Sequence, residues 1–303
     1  HYWADKPANT INANIITSIT QDSRQNIWIG TLLKGKGINI YKPSTGKFYK
    51  SFINDNFIIR KIFKDKGNNM WLGTWGKGLL KADILNKNVI SYSDTISCQS
   101  IYPDCVSEIY EDANGLFWIG NDWCLRSFNT KTGKWKYYVE LEENIPENQN
   151  VIKCFANGWI NSIQQTIDST LWAGTEEGLY KYNQQNDSFY LCNEIALLRN
   201  QAIKGILEDN SRRLWLSTNE GIIRFTPSTQ EIKQYDANDG IQRTGFIEHT
   251  CFKSPKTGEL FFGSNEGFNV FHPDSIRANP FKPPVVLTHL QIFHKDVPIA
   301  PDA

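Results

Sequence analysis

Methionine is almost missing from this chain, which has one among 303 residues. Neither sign of charge prevails, with 32 Lys and Arg against 32 Asp and Glu. A basic excess is the usual footprint of a nucleic-acid face, so no nucleic-acid partner is expected. No run of about 18 apolar residues occurs, which excludes a membrane-spanning helix. No secretory leader opens the sequence, and His1 reads as the cut end of a longer chain. The six cysteines, at 98, 105, 124, 154, 192 and 251, form no CxxC pair and no cluster with histidine, so no metal is expected. Most of them read as small buried apolar residues. Cys98 and Cys105 are the pair expected to bridge, if any does.

Catalytic signatures are missing too. The sequence has no HExxH, no GxSxG and no phosphate-binding loop, so neither a catalytic residue nor a cofactor is expected. The acidic pairs Glu142-Glu143 and Glu176-Glu177 fall in turns and read as solvated.

What the chain does have is aromatic side chains, 13% of the total, with ten Trp. That composition suits strands. Five of the Trp and one Phe recur at a regular interval. Trp28-Ile29-Gly30-Thr31 returns as Trp71-Leu72-Gly73-Thr74, Trp118-Ile119-Gly120-Asn121, Trp172-Ala173-Gly174-Thr175 and Trp215-Leu216-Ser217-Thr218. Phe261-Phe262-Gly263-Ser264 is a sixth, weaker copy. The spacings of 43, 47, 54, 43 and 46 residues are those of a propeller blade.

The flanks align without gaps. Nine residues before the anchors stand Ile19, Ile62, Ile109, Ile163, Ile206 and Phe252. Six before them stand Asp22, Asp65, Asp112, Thr166, Asp209 and Pro255. An Asp there can bond the backbone two residues on and start a turn, so the Thr166 and Pro255 turns are expected to differ in shape. Downstream, Gly-Ile or Gly-Leu leads to an aromatic, as in Gly178-Leu179 with Tyr182, and a short fourth strand follows. The expected fold is all-β: a β-propeller of four-stranded blades over residues 1–279, six- or seven-bladed. The sixth repeat has no fourth strand of its own. Either Tyr2-Trp3 supplies it, or a further blade lies upstream. Each anchor Trp is expected to fill a seam between blades, and the glycine two residues on to allow close approach. Residues 280–303 read as a Pro-rich linker, a strand over Val285–Phe293, a turn at Lys295-Asp296 and a second strand at Val297–Ile299, the first hairpin of a truncated β-sandwich.

In such a ring, the turns leading into the innermost strands open on one face. The residues 13 and 14 positions before each anchor include Asn14, Phe57, Asp104, Trp159, Gln201 and Glu248, with Arg60 and His249 projecting nearby. Trp75 and Trp123 sit in the hairpins after the anchors, where an aromatic has no core duty. This mixture of indoles, amides and acids suits sugars, whose C–H faces stack on rings and whose hydroxyls bond to amides and carboxylates. The insertion Glu140–Lys153 reads as a mobile loop. An enzyme reading, as a lyase or glycosidase, needs an acid and a base converging on the axis. Only Asp104, Glu248 and His249 qualify. They belong to the third and sixth repeats, which a closed ring holds too far apart for one proton-transfer site unless the loops bend inward.

The recurring pattern Ile-x-x-Asp, four residues, Ile-Trp-Ile-Gly-Thr, then Gly-Leu-x-x-Tyr resembles the two-component regulator propeller repeats of hybrid sensor histidine kinases from Bacteroides-type bacteria. The resemblance runs through nearly the whole chain. It implies a non-catalytic periplasmic sensor module, the second propeller of an inner-membrane protein, followed by an Ig-like domain that begins at Pro283–Ile299. It further implies an oligosaccharide ligand, an adjacent propeller and β-sandwich of the same chain, a homodimer of the full-length protein, and a kinase outside this stretch. A structural spacer, with sensing elsewhere, is the competing reading.

Overall fold

A computed structural model of the chain describes residues 9–32, 37–53, 57–84, 86–92, 105–121, 124–138, 159–192, 195–242, 245–276, 291–292 and 295–296. These residues form a β-propeller of six blades. Blade 1 comprises β1 (Ile16–Gln21), β2 (Ile27–Thr31), β3 (Ile38–Lys42) and β4 (Lys47–Lys50). Blade 2 comprises β5 (Ile58–Lys64), β6 (Met70–Trp75), β7 (Leu79–Asp83) and β8 (Asn88–Tyr92). Blade 3 holds β9 (Glu108–Glu111), β10 (Phe117–Gly120), β11 (Leu125–Asn129) and β12 (Lys134–Tyr138). Blade 4 holds β13 (Ile160–Gln165), β14 (Leu171–Thr175), β15 (Leu179–Asn183) and β16 (Ser188–Leu191). Blade 5 consists of β17 (Ile203–Glu208), β18 (Leu214–Thr218), β19 (Gly221–Thr226) and β20 (Glu231–Tyr235). Blade 6 has three strands, β21 (Phe246–Lys253), β22 (Leu260–Ser264) and β23 (Gly267–Phe271). Each blade is an antiparallel meander. A final pair, β24 (Gln291–Ile292) and β25 (Lys295–Asp296), is antiparallel, so Lys295-Asp296, expected as a turn, lie in a strand.

The anchors fill the seams as their spacing predicts. Trp28 packs with Ile59, Ile62 and Leu72 of blade 2. Trp71 meets Ile109, Phe117 and Phe128 of blade 3, and Trp118 meets Ile160 and Ile163 of blade 4. Trp172 and Trp215 do the same toward blades 5 and 6. The glycine two residues on lies against the next blade. A Cβ on Gly30, Gly73, Gly120 or Gly174 would come within 2.6–2.7 Å of Ile59, Val106, Ile160 or Ile203.

The Asp six residues before the anchor does two jobs. In blade 1, one oxygen of Asp22 accepts from the Arg24 and Asn26 amides, and the other accepts from the Trp28 indole at 3.0 Å. Burial pushes its carboxyl pKa up, but the bonds from Asn26 and Trp28 override that and hold it below the ordinary value. Asp65, Asp112 and Asp209 hold Trp71, Trp118 and Trp215 in the same way. In blade 4, Thr166 replaces the acid, yet the turn keeps its shape, contrary to expectation. Thr166 N still donates to Thr170 O, and Asp168 accepts from the Thr166 hydroxyl and the Thr170 amide. The carboxylate has moved two residues along, and what is lost is the indole contact: Trp172 Nε1 is buried with no partner.

Blade 6 does differ. Its first turn closes from Ser254 to Glu259, one residue longer than the others, so Phe252 pairs with Phe261 where Ile19 pairs with Ile29. The gapless alignment therefore slips upstream of this turn. Cys251 takes the position of the other repeats' isoleucine, and Phe252 faces outward at 58% exposure. On that outward face Phe261 makes ring contacts with both Phe252 and Phe268. On the far side of the same seam, Ile19 of blade 1 is 64% exposed, whereas its equivalents Ile62, Ile109 and Ile206 are 1% exposed. Among the described residues, five seams are packed and the sixth is bare.

Candidate functional site

The site is built from an irregularity that recurs in blades 1, 2, 4 and 5. Opposite β2, β1 carries one extra residue, Thr17; β5 carries Arg60, β13 carries Asn161 and β17 carries Lys204. A bulge of this kind re-aims one side chain out of the strand's alternation. The re-aimed residues stitch neighbouring blades at the mouth of the ring. Thr17 Oγ1 donates to Ile59 O at 2.7 Å, and Asn161 Nδ2 donates to Ile203 O at 3.1 Å. Glu176 accepts from both Asn161 Nδ2 and Lys204 Nζ.

Arg60 makes the longest reach. Its guanidinium carbon lies 5.7 Å from the Trp75 ring centroid and 5.1 Å from that of Trp159, cation–π contacts to two indoles at once. Trp159 immediately precedes β13, so blade 4 meets blade 2 over blade 3. Trp75 ends β6 and bridges to Cys105 of blade 3. Both indoles are half-buried and belong to none of the packed seams.

One residue beyond the bulge, the side chains face the axis. Ser18 and Ser162 bond backbone amides of the next blade. Blades 2 and 3 carry charges there instead. Lys61 Nζ lies 2.7 and 2.8 Å from the two oxygens of Glu108. Across the ring, Nδ1 of His249 lies 2.6 Å from Glu108 Oε2. Burial pushes the Glu108 carboxyl pKa up, but the Lys61 ammonium and the His249 ring outweigh it and hold it below the ordinary value.

An acid and a base of blades 3 and 6 thus meet through the one exception expected, a chain that bends inward. The reason is the length of the blade 6 bulge. Between the pairs Phe246–Ser264 and Cys251–Phe262, β21 makes five residue steps against two in β22, three extra residues where the other bulges have one. His249 stands in this excursion with φ 61°, a left-handed conformation adopted by no other non-glycine residue within a described strand. The acid that His249 meets is Glu108, which the sequence reading passed over.

The ten candidates from the sequence therefore separate. Arg60, Trp75 and Trp159 come together at the mouth, and His249 lies at the axis beside Glu108 and Lys61. Glu248 is half-buried in the long bulge, Gln201 Nε2 donates to Thr218 Oγ1 at 3.1 Å, and Asn14 is exposed on the bend before β1. Phe57 is a correction: it is 4% exposed and packs in the first seam with Trp28, because apolar residues entering a strand beside an anchor are drawn into its core. Asp104, Trp123, Tyr2-Trp3 and the insertion Glu140–Lys153 lie outside the described residues. Lys61 and Glu108 were missed, although both stand ten residues before their anchors. A charge at a repeat position that holds Ser18 and Ser162 elsewhere was the available signal.

The cysteines also need correction. Cys105, buried at the Trp75 bridge, is not in a disulfide, so the expected Cys98–Cys105 pair does not form, while Cys124 is disulfide-bonded. Burial pushes the Cys251 thiol pKa up to about 11, which leaves it protonated and inert.

With this geometry in view, the chain can be set beside known proteins. The family model described as Two component regulator propeller matches residues 10–32, the first repeat through its Trp28 anchor. Histidine kinase P4 of Formosa agariphila is 26% identical over 287 residues, covering 91% of this chain and 20% of that protein. The solved extracellular domain of a hybrid two component system from B. thetaiotaomicron is 25% identical with a TM-score of 0.74, covering 96% of this chain and 39% of that one. A second extracellular domain of such a system from the same organism is 20% identical with a TM-score of 0.64, covering 91% and 33%. The chain thus spans a fifth of the curated relative's length and well under half of the solved ones.

Proposed function

We propose that this chain, a two component regulator propeller, is a ligand-recognising module in the periplasmic sensor region of a hybrid histidine kinase, with an oligosaccharide as its ligand. Its relatives are extracellular domains of such systems and a histidine kinase. The observation that carries the ligand class is the Arg60 guanidinium held against Trp75 and Trp159 at the mouth of the ring. Indole faces receive sugar C–H surfaces, and a guanidinium fixed in place bonds hydroxyls or carboxylates without losing side-chain freedom on binding. Kinase chemistry belongs to other parts of a longer protein, as do the partner copy, the neighbouring propeller and the sandwich domain.

The axial Lys61, Glu108 and His249 favour a second reading, an enzyme. We place it behind the first because a general acid needs a carboxyl whose proton affinity is raised, and that of Glu108 is lowered, its oxygens occupied by Lys61 and His249. Calorimetry of the chain against plant and host oligosaccharides tests both. Saturable heat without product is expected, weakened about tenfold or more by Trp159→Ala. Product formation would establish the enzyme, and no response to any glycan would favour a spacer.

A further inference from the structure

We infer that the Lys61–Glu108–His249 network is a bolt across the axis, through which a ligand held by Arg60, Trp75 and Trp159 shifts blade 6. This rests on reading that mouth as the ligand site. Both ends of the Lys61–Glu108 pair lie one short step from it. Arg60 and Lys61 are consecutive in β5, and Trp75 is bridged to Cys105, three residues before Glu108. A ligand that displaces the guanidinium or either indole therefore pulls on the strands that carry the pair.

Blade 6 is the element free to respond. Among the described residues it has one packed seam, to blade 5, and none toward blade 1. Its tie to the opposite side of the ring is His249, on a long bulge in left-handed backbone. Such a conformation persists where surrounding contacts hold it, here the bond to Glu108. A blade packed on one side and tied across the axis by a buried polar contact has two arrangements, bolted and released, which is what coupling between sites requires. Blade 6 is also where the chain leaves the ring toward β24 and β25. The exit turn moves with it: Ile276 packs in the last seam, and Asp274 reaches Arg213 at 3.5 Å.

Amide hydrogen exchange decides this in two arms. In the first, Lys61→Met, His249→Asn and the double variant are compared without ligand. Asn tolerates left-handed backbone and is too short to reach Glu108. Each single change should speed exchange in β21–β23 about tenfold, with blades 1 and 2 unmoved and the double variant no faster than the singles. Additive effects, no effect in blade 6, or loss of protection throughout the molecule would overturn the bolt. Glu108→Gln, which keeps shape and removes charge, repeats the measurement on the central residue. In the second arm, cellohexaose, laminarihexaose and oligogalacturonate are added. Changes at Trp75 and Trp159 together with β21–β23 are expected in the native chain, and at the mouth alone in His249→Asn. A change confined to the mouth of the native chain would overturn the relay. No change at the mouth with any of the three would remove the ligand reading and the relay with it, while the first arm separately decides the bolt.

Discussion

The seam between blades 1 and 2 and the seam between blades 6 and 1 use the same repeat position to opposite ends. Ile62 is sealed under Trp28, whereas Ile19 stands 64% exposed, as do Phe252 at 58% and Phe268 at 61% on the outer face of blade 6. The residue type is the same, so the repeat supplies the adhesive and the neighbouring blade decides whether it sets. Blade 6 compensates with a polar contact across the axis, which depends on charge state where the packed seams depend on buried area.

The contrast can be broken most sharply at the anchors. Trp71→Ala should cost about 3–5 kcal/mol, whereas Phe261→Ala, on the bare face, should cost under about 1 kcal/mol by chemical denaturation. Equal losses would mean that the sixth seam is packed in solution. The next largest effect is expected at the turn acids. Asp65→Ala strips acceptors from the Trp71 indole and the Asn69 amide and should cost about 2–3 kcal/mol.

Acid should release the axial tie before the seams. A carboxyl held below its ordinary value contributes stability that is present above the unfolded-state value of about 4.3 and is lost as pH falls through the folded value. Hydrogen exchange of β21–β23 should therefore accelerate at low pH more than that of β5–β8, and Glu108→Gln should abolish the difference. The smallest effect is a gain. Thr166→Asn can present its amide oxygen to Trp172 Nε1 and its nitrogen to Asp168, for about 1 kcal/mol, read as a raised Tm.

The blades were legible because Trp, Gly, Ile and Asp at fixed offsets do the same task in nearly every copy. The axial residues were not, because they occupy the positions where copies differ. Lys61 and Glu108 replace Ser, and only the three-dimensional ring reveals that blades 2, 3 and 6 converge. In blade 6, a longer turn and a longer bulge both lie upstream of Phe261, so counting back from that anchor assigned Phe252 and Glu248 to places that other residues fill. Arg60 was named for its place near the mouth, yet its pairing with both Trp75 and Trp159 depended on the residue that enters blade 4 reaching a side chain of blade 2.

The indole of Trp172, deprived of its carboxylate by Thr166, also makes the molecule report on itself. Four anchors donate their indole protons to aspartates, and the fifth donates to nothing. In a nitrogen–proton spectrum the four bonded indoles should lie downfield and Trp172 apart from them. A single resolved resonance, available without any label beyond nitrogen-15, would then follow the packing between blades 4 and 5 as ligand, pH or a partner is varied.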